Sequence, residues 1–212
     1  MPGAPNRPPE PAAPSAPPPT DPLERRVLRR LAPGRVALRL DIWKGAPSRE
    51  LVDPLAKAEE LYRSGDARGA DSALDQLAVR LAEPRWPTIP LPFRHLRVAI
   101  PAPQPPHYDP EHAIPPAERE ARRVRREAET QLALAKASVD WAAGHSVEAA
   151  DLRTGVGSAE TALGPSGVSE AFWKEIDGVW ERIRERVPMP TAPGRPSPAP
   201  PPAAANEAAG AT

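Results

Sequence analysis

Apolar residues recur at intervals of three and four along most of the chain, which is the pattern of amphipathic helices. The clearest stripe comprises Phe172, Ile176, Trp180 and Ile183, and a stripe of this kind must face a core. The pattern predicts six helices, at about residues 22–31, 54–64, 67–83, 117–144, 146–163 and 169–187. The expected fold class is therefore mainly α, with the last amphipathic helix closing the core.

Local signals predict where several of these helices begin and end. Asp21 and Asp53 are each followed by proline, which is the pattern of a cap and a first-turn residue. The segment 32–34 (Ala-Pro-Gly) should end the first helix, because proline cannot donate a backbone hydrogen bond. Gly155 and Gly157 should weaken the fifth helix.

Two segments have a different period. In residues 35–43 and 95–100 every second residue is apolar, which is typical of a half-buried strand. A single strand is not stable alone. We therefore expect these two segments to form a small two-stranded β element, or to lie along the helical body.

Two glycines mark reversals between predicted helices. Gly65 separates the second helix from the third, and Gly144 separates the fourth from the fifth. Two helices joined by a short turn pack as an antiparallel αα-hairpin. We expect two such hairpins and the closing helix to form the body.

The first hairpin carries a characteristic spacing of small and apolar residues, namely Ala58, Leu61, Gly65-Asp66, Ala70, Leu74 and Leu77. Across residues 55–83 this spacing resembles a tetratricopeptide repeat. Residues 132–163 resemble it more weakly, because His145 stands where the pattern has aspartate. The two glycine reversals are 79 residues apart, whereas repeats of this family recur at about 34 residues. The resemblance implies helical hairpins that present a surface to a partner peptide or protein.

Proline divides the chain. Of its 33 prolines, 18 lie in residues 1–22 and 188–212. Segments of this composition cannot bury enough apolar surface to offset chain ordering, so both are expected to be disordered tails. Residues 23–187 are then a single, mostly helical domain. A proline-rich connection at 84–116 interrupts it. There Trp86, Ile89, Leu91 and Phe93 suggest packing on the body, and the proline density should exclude helix.

Composition excludes several classes of function. The chain has no cysteine, which rules out thiolate catalysis and cysteine-based metal sites. Its 28 basic and 28 acidic residues cancel, which argues against a general attraction to nucleic acid or membranes. No long apolar run or secretory signal is recognisable, so we expect a cytoplasmic protein with no membrane partner.

Two groups of residues are candidate partner-binding sites. Residues 23–49 hold eight basic residues against two acidic ones. The arginines of this segment that we single out are Arg25, Arg26, Arg29, Arg30, Arg35 and Arg39. Trp86, flanked by Arg85 and Pro87, is a second candidate, because tryptophan and arginine are favoured at binding hot spots.

Metal and catalytic chemistry have weaker signals. Residues 107–112 (His-Tyr-Asp-Pro-Glu-His) offer nitrogen and oxygen donors suited to zinc, iron or manganese. They lie in the proline-rich connection, however, and read equally well as a polar turn. The nucleophile and phosphate-binding motifs Gly-x-Ser-x-Gly and Gly-x-x-x-x-Gly-Lys are absent from the sequence.

The leading hypothesis is a non-enzymatic helical interaction module, without a cofactor, whose hairpin groove or basic amino-terminal helix holds another protein. A nucleic-acid-associated accessory protein that uses the basic 23–49 segment is the first alternative. A metal-dependent enzyme at residues 107–112 is the second.

Overall fold

The protein is an assembly of packed helices. The computed structural model describes residues 21–97, 114–164 and 167–193, and these residues form α-helices and 3₁₀ helices but no β-strand. The predicted mainly α fold is confirmed. The α-helices are α1 (Pro22–Ala37), α2 (Arg49–Arg63), α3 (Ala67–Leu81), α4 (Pro116–Gly144), α5 (Ala150–Ala162) and α6 (Glu170–Arg186). The 3₁₀ helices are Asp41–Trp43 and Leu91–Leu96.

Helix α1 occupies the centre of the molecule. It contacts α2, α3, α4, α6 and the second 3₁₀ helix. Asp21 caps it as predicted, because its side chain accepts a hydrogen bond from the backbone N–H of Leu23 at 2.7 Å. Every residue from 31 to 38 is buried. The core is therefore built around the carboxyl-terminal half of α1.

The predicted end of the first helix and the predicted strand at 35–43 are both wrong. Helix α1 continues through Pro33 and Gly34 to Ala37, and the 3₁₀ helix Asp41–Trp43 follows. Burial on all sides explains the error, since Val36, Ala37 and Leu38 are all enclosed. The alternation of apolar residues here does not distinguish a buried face from an exposed one. Of the second predicted strand, 95–100, the first two residues end a 3₁₀ helix and the last three lie outside the described residues.

The first predicted hairpin is confirmed as α2 and α3, which contact each other extensively. Gly65 makes the reversal with a φ of 82°, a conformation that glycine adopts without strain. Asp66 caps α3 by accepting from the backbone N–H of Gly69 at 2.9 Å. Helix α2 begins at Arg49 rather than at Pro54, so Pro54 lies inside the helix. The preceding turn is helical because burial of Leu51 and Val52 holds it on the core.

The second predicted reversal is also present, with a different geometry. Gly144 is the last residue of α4, and the positive φ of 60° belongs to Ser146. Helix α5 begins at Ala150, later than predicted, and runs unbroken through Gly155 and Gly157. It packs closely on α6.

Helix α6 closes the core as the apolar stripe predicted. Ser169 caps it by accepting from the backbone N–H of Phe172 at 3.2 Å. Trp180 is fully buried, and its indole N–H donates to Gln131 Oε1 at 3.0 Å. Helices α1, α4 and α5 all contact α6. The result is a bundle of packed helix pairs, compatible with a helical-repeat-like fold.

Two proline-containing segments lie against this bundle. Ile89 and Phe93 are buried, as expected, but Leu91 between them is exposed, so its predicted packing is wrong. The prolines of this segment permit the 3₁₀ helix Leu91–Leu96, because they exclude the α-helix but not every kind of helix. Residues 188–193, which belong to the predicted carboxyl-terminal tail, also pack on the body, with Pro190 and Ala192 buried. The predicted disorder of residues 1–20 and 194–212 lies outside the described residues.

Candidate functional site

The arginines predicted to bind a partner lie on and just beyond α1, and they contact neighbouring parts of the fold. Arg25 and Arg29 pair with acidic residues of α6, and Arg26 and Arg30 pair with acidic residues of α3. Arg35 reaches α2 and the end of α6. The structure therefore distributes these cations among several helix contacts.

Arg29 makes the clearest of these contacts. Its guanidinium donates to both carboxylate oxygens of Asp177, at 2.7 and 3.0 Å, and its central carbon lies 4.1 Å from the centre of the Trp173 ring. Asp177 is only 1% exposed. Burial raises the pKa of the Asp177 carboxyl, and the hydrogen bonds from Arg29 oppose that shift. Arg29 therefore compensates a buried charge and holds α1 against α6.

Arg35 joins three elements in the same way. Its side chain is 3% exposed and lies 2.7 Å from a carboxylate oxygen of Glu59 in α2. It also donates to the backbone carbonyls of Arg184 and Val187, at 2.5 and 2.8 Å. Burial lowers the pKa of the Arg35 guanidinium, while Glu59 opposes the shift. An arginine enclosed in this manner is not accessible to a partner.

The remaining arginines are more exposed but also have partners. Arg39 donates to the carbonyls of Pro188 and Met189, both at 3.4 Å, and so holds the segment that follows α6. Arg30 donates to Asp71 and to Asp75 of α3. The side chain of Arg26 is 62% exposed, and its Nη2 lies 3.2 Å from Oδ2 of Asp71. Carboxylates of neighbouring helices thus neutralise much of the positive charge of these arginines.

A groove runs along the outer face of the α2–α3 pair, with a volume of about 780 Å³. We refer to it as the hairpin groove. Charged residues on both helices and one exposed aliphatic side chain line it, including Arg49, Glu50, Asp53, Asp75, Val79 and Arg80. Val79 is 58% exposed, and large apolar side chains are seldom left in water at this level in the described residues.

Trp86, the second predicted candidate, packs against another tryptophan. The rings of Trp43 and Trp86 meet edge to face, with centroids 6.3 Å apart and an interplanar angle of 61°. The central guanidinium carbon of Arg85 lies 4.6 Å from the centre of the Trp86 ring. Both tryptophans are partly buried. We refer to Trp43, Arg85 and Trp86 together as the tryptophan edge.

Ion pairs connect the tryptophan edge to the hairpin groove. Arg85 pairs with Glu50, which lines the groove, and donates to Glu83 at 2.7 Å. Arg80, on the other wall, donates to the same Glu83 at 3.2 Å. Desolvation opposes ionisation of Glu83, but hydrogen bonds from Arg85 and Arg80 outweigh it and lower the pKa of Glu83. The two features therefore form one continuous surface.

The two indole N–H groups of the tryptophan edge differ. Trp43 donates to the backbone carbonyl of Ala37 at 2.8 Å, which attaches its ring to the end of α1. The Trp86 N–H has no acceptor among the described residues. A buried donor without an acceptor costs free energy unless water or another molecule supplies one.

Sequence reasoning identified Trp86 but missed Trp43 and the walls of the groove. Trp43 was assigned to a strand, which concealed its contact with Trp86. The groove walls come from ordinary charged positions of two helices. Val79 is an apolar residue on the face of α3 that also carries Asp75 and Gln76, and local sequence does not mark it. The predicted metal-binding residues 107–112 lie outside the described residues, which themselves contain no cluster of three or more metal-ligating side chains.

Comparison with protein-family models found no matching family, and searches of curated proteins and of solved structures found no similar chain. Among the described helices, none is both long enough and apolar enough to cross a membrane.

Proposed function

We propose that this protein is a non-enzymatic helical module that binds another protein through the hairpin groove and the tryptophan edge. The observation that carries the proposal is the ladder of Arg85, Trp86 and Trp43, which an ion pair between Arg85 and Glu50 connects to the groove wall. Tryptophan and arginine account for a large share of hot-spot residues at protein interfaces.

The groove supplies the second part of such an interface. Val79 offers an exposed apolar contact in its wall, and charged side chains surround it. An apolar centre with a polar rim is the usual anatomy of a protein-binding surface. The resemblance of residues 55–83 to a tetratricopeptide repeat supports the same function, since such hairpins hold peptides on their surfaces.

The nucleic-acid alternative has less support. Phosphate binding requires accessible cations that can displace the counterions of the nucleic acid, whereas Arg29 and Arg35 are enclosed beside Asp177 and Glu59. No observation in the described residues favours the metal-dependent alternative over protein binding.

The direct test is a binding measurement with a matched pair of variants. A tagged full-length chain would be used to isolate a stoichiometric partner, and the affinity of the purified partner would then be measured by calorimetry. Val79→Arg places charge in the groove. Leu91→Arg changes the other large aliphatic residue that is exposed within the described part of the chain, at 75%, and it is not part of the groove wall. We expect Val79→Arg to weaken binding and Leu91→Arg to leave it unchanged.

Trp86→Ala tests the tryptophan edge in the same assay. Removing a hot-spot tryptophan costs about 2 kcal/mol of binding free energy, which is a loss in affinity of about 30-fold. Circular dichroism would establish that each variant is folded. Equal affinities for the parent chain, Val79→Arg and Trp86→Ala would show that the partner binds elsewhere and would refute the proposal.

A further inference from the structure

The wall of the hairpin groove that α3 forms carries opposite charges on either side of an apolar residue. Asp75 comes first along the helix, Val79 follows, and Arg80 is the last residue but one of α3. The helical rise separates Asp75 from Arg80 by about 7.5 Å along the axis. Val79 is 58% exposed. This wall is therefore negative towards the reversal at Gly65 and positive at the open end of the hairpin, with an apolar contact between the two.

The facing wall, on α2, has the same polarity. Arg49 is the first residue of α2 and lies at the open end of the hairpin, and Asp53 follows about one turn closer to the reversal. Glu50 also lies at the open end, but it is already paired with Arg85. Both walls thus place a cation at the open end and a carboxylate further along the groove.

The two charged residues of α3 are exposed enough to meet another molecule. The side chain of Asp75 is 61% exposed, and that of Arg80 is 52% exposed. Within the chain they pair with Arg30 at 2.6 Å and with Glu83 at 3.2 Å. Ion pairs as exposed as these contribute little to stability, so both side chains can make an additional contact without disturbing the fold.

This polarity restricts what the groove can hold. A uniformly basic surface would be repelled at Arg80, and a uniformly acidic surface would be repelled at Asp75. A matching surface carries both signs at the same spacing and in the opposite order. The chain itself has such a surface, because α3 in the antiparallel direction presents the arginine first and the aspartate second.

We propose that a second copy of this chain occupies the hairpin groove, in a two-fold dimer whose α3 helices lie antiparallel. Arg80 of each copy then faces Asp75 of the other, and the two Val79 side chains lie close to the two-fold axis. A two-fold contact closes on itself, so it produces a dimer and no longer assembly. The proposal rests on the proposed function, since it names an occupant that another protein must displace from the same groove.

The size of the hairpin face sets the strength of this contact. Helices α2 and α3 have 15 residues each, so the face is about 22 Å long and about 20 Å wide. The dimer would bury roughly 450 Å² on each copy, and a total below about 1,200 Å² is typical of weak, transient complexes. The dimer therefore forms at high concentrations of the chain, and a protein that also binds the tryptophan edge can replace the second copy.

The experiment measures the mass of the full chain in solution by sedimentation equilibrium over a range of concentrations. Arg80→Glu and Asp75→Arg each set like charges against each other in the dimer. An equimolar mixture of the two variants restores opposite charges, because the new carboxylate of one copy faces the new guanidinium of the other. Arg122→Glu is the matched control, since it makes the same change in net charge at an exposed position of α4.

We expect the average mass of the parent chain to rise from 22.7 kDa towards twice that value as its concentration approaches the millimolar range. Arg122→Glu should follow the same curve. Each groove variant alone should need at least about tenfold higher concentration to reach the same mass. The mixture should recover the curve of the parent chain, which would also show that both variants are folded.

Several results would overturn the proposal. The parent chain could stay at 22.7 kDa throughout, Arg80→Glu could associate as readily as the parent, or the mixture could associate no better than its components. A mass that rises well beyond twice that of the chain would also contradict it, because the contact would then not be two-fold.

The proposed function is judged by a different measurement. Unchanged affinity of an isolated partner for Val79→Arg and Trp86→Ala refutes it, even where the chain dimerises as expected. Conversely, a chain that remains monomeric while those two variants lose affinity for the partner refutes only the proposal of a second copy.

Discussion

Two arginine–tryptophan contacts of this protein have the same chemistry and different surroundings. Arg29 stacks on Trp173 at 4.1 Å, and Arg85 stacks on Trp86 at 4.6 Å. The side chain of Arg29 is 13% exposed, whereas that of Arg85 is 52% exposed. The first contact is enclosed between helices, and the second lies on the surface.

The carboxylate partners explain the difference. Asp177, which pairs with Arg29, is buried, so removal of Arg29 would leave a buried charge with only the longer contact to Arg25, at 3.9 Å. Glu50, which pairs with Arg85, is 51% exposed, and water can solvate it when Arg85 is absent. The comparison teaches that the burial of the carboxylate decides whether an arginine stabilises the fold or remains available for binding.

Among the substitutions of buried residues, that of Arg35 should have the largest effect on the free energy of unfolding. Arg35→Met leaves Glu59, which is 3% exposed, without its closest buried cation. We expect a loss of about 3 kcal/mol in the free energy of unfolding, measured with urea at neutral pH. Combining Arg35→Met with Glu59→Gln should recover part of that loss. A loss below about 1 kcal/mol for the single variant would mean that the ion pair is not enclosed as described.

The glycines of α5 extend the comparison from charges to packing. A methyl group at Gly155 would lie 2.8 Å from Val179 Cγ2 and 2.5 Å from Arg182 Nη2, whereas one at Gly157 would meet no atom within 4 Å. Gly155→Ala should therefore destabilise the protein by about 1–3 kcal/mol. Gly157→Ala should stabilise it by up to about 1 kcal/mol, because alanine favours helix. Thermal unfolding of both variants measures this difference in stability. Similar melting temperatures for Gly155→Ala and Gly157→Ala would contradict the prediction.

The two helix reversals should also respond differently. Gly65 has a φ of 82°, so Gly65→Ala should cost about 1–2 kcal/mol. Gly144 is the last residue of α4 with open space around it, and Gly144→Ala should stabilise the helix end by about 0.5 kcal/mol. Urea unfolding of the pair provides the measurement. Destabilisation by Gly144→Ala would show that the second reversal needs glycine after all.

The smallest expected effect concerns Tyr62, whose hydroxyl donates to Glu181 Oε1 at 3.0 Å. Burial and the Glu181 carboxylate raise the pKa of Tyr62 above its ordinary value of 10. Above pH 10 the folded state therefore keeps a proton that the unfolded chain loses, so stability falls as the pH rises through this range. Tyr62→Phe should make that fall shallower. Parallel stability curves for the two proteins between pH 9 and 11 would contradict this assignment.

Much of the fold could be predicted from local signals. The cap at Asp21, the reversal at Gly65 and the apolar stripe of α6 depend on residues close together in the sequence, and the structure confirms them. The end of α1 could not be predicted, because burial of residues 31–38 by several other helices outweighs the effect of Pro33.

The candidate site was predictable only in part. Trp86 was singled out because its neighbours in the sequence mark it, and its role in binding stays a prediction. The contacts of the arginines could not be predicted, since Asp177 lies 148 residues from Arg29 and nothing local reveals their pairing. The groove wall at Val79 forms only when α2 packs on α3. Periodicity predicts that packing, but it does not predict which side chains line the outer surface.

The most direct test of this account is a side-by-side measurement of unfolding free energy for Arg29→Ala and Arg85→Ala by urea denaturation at neutral pH. The account predicts a loss of about 3 kcal/mol for Arg29→Ala and no measurable change for Arg85→Ala. Equal losses in the two variants would contradict it, because the tryptophan edge would then stabilise the fold as the inner contact does.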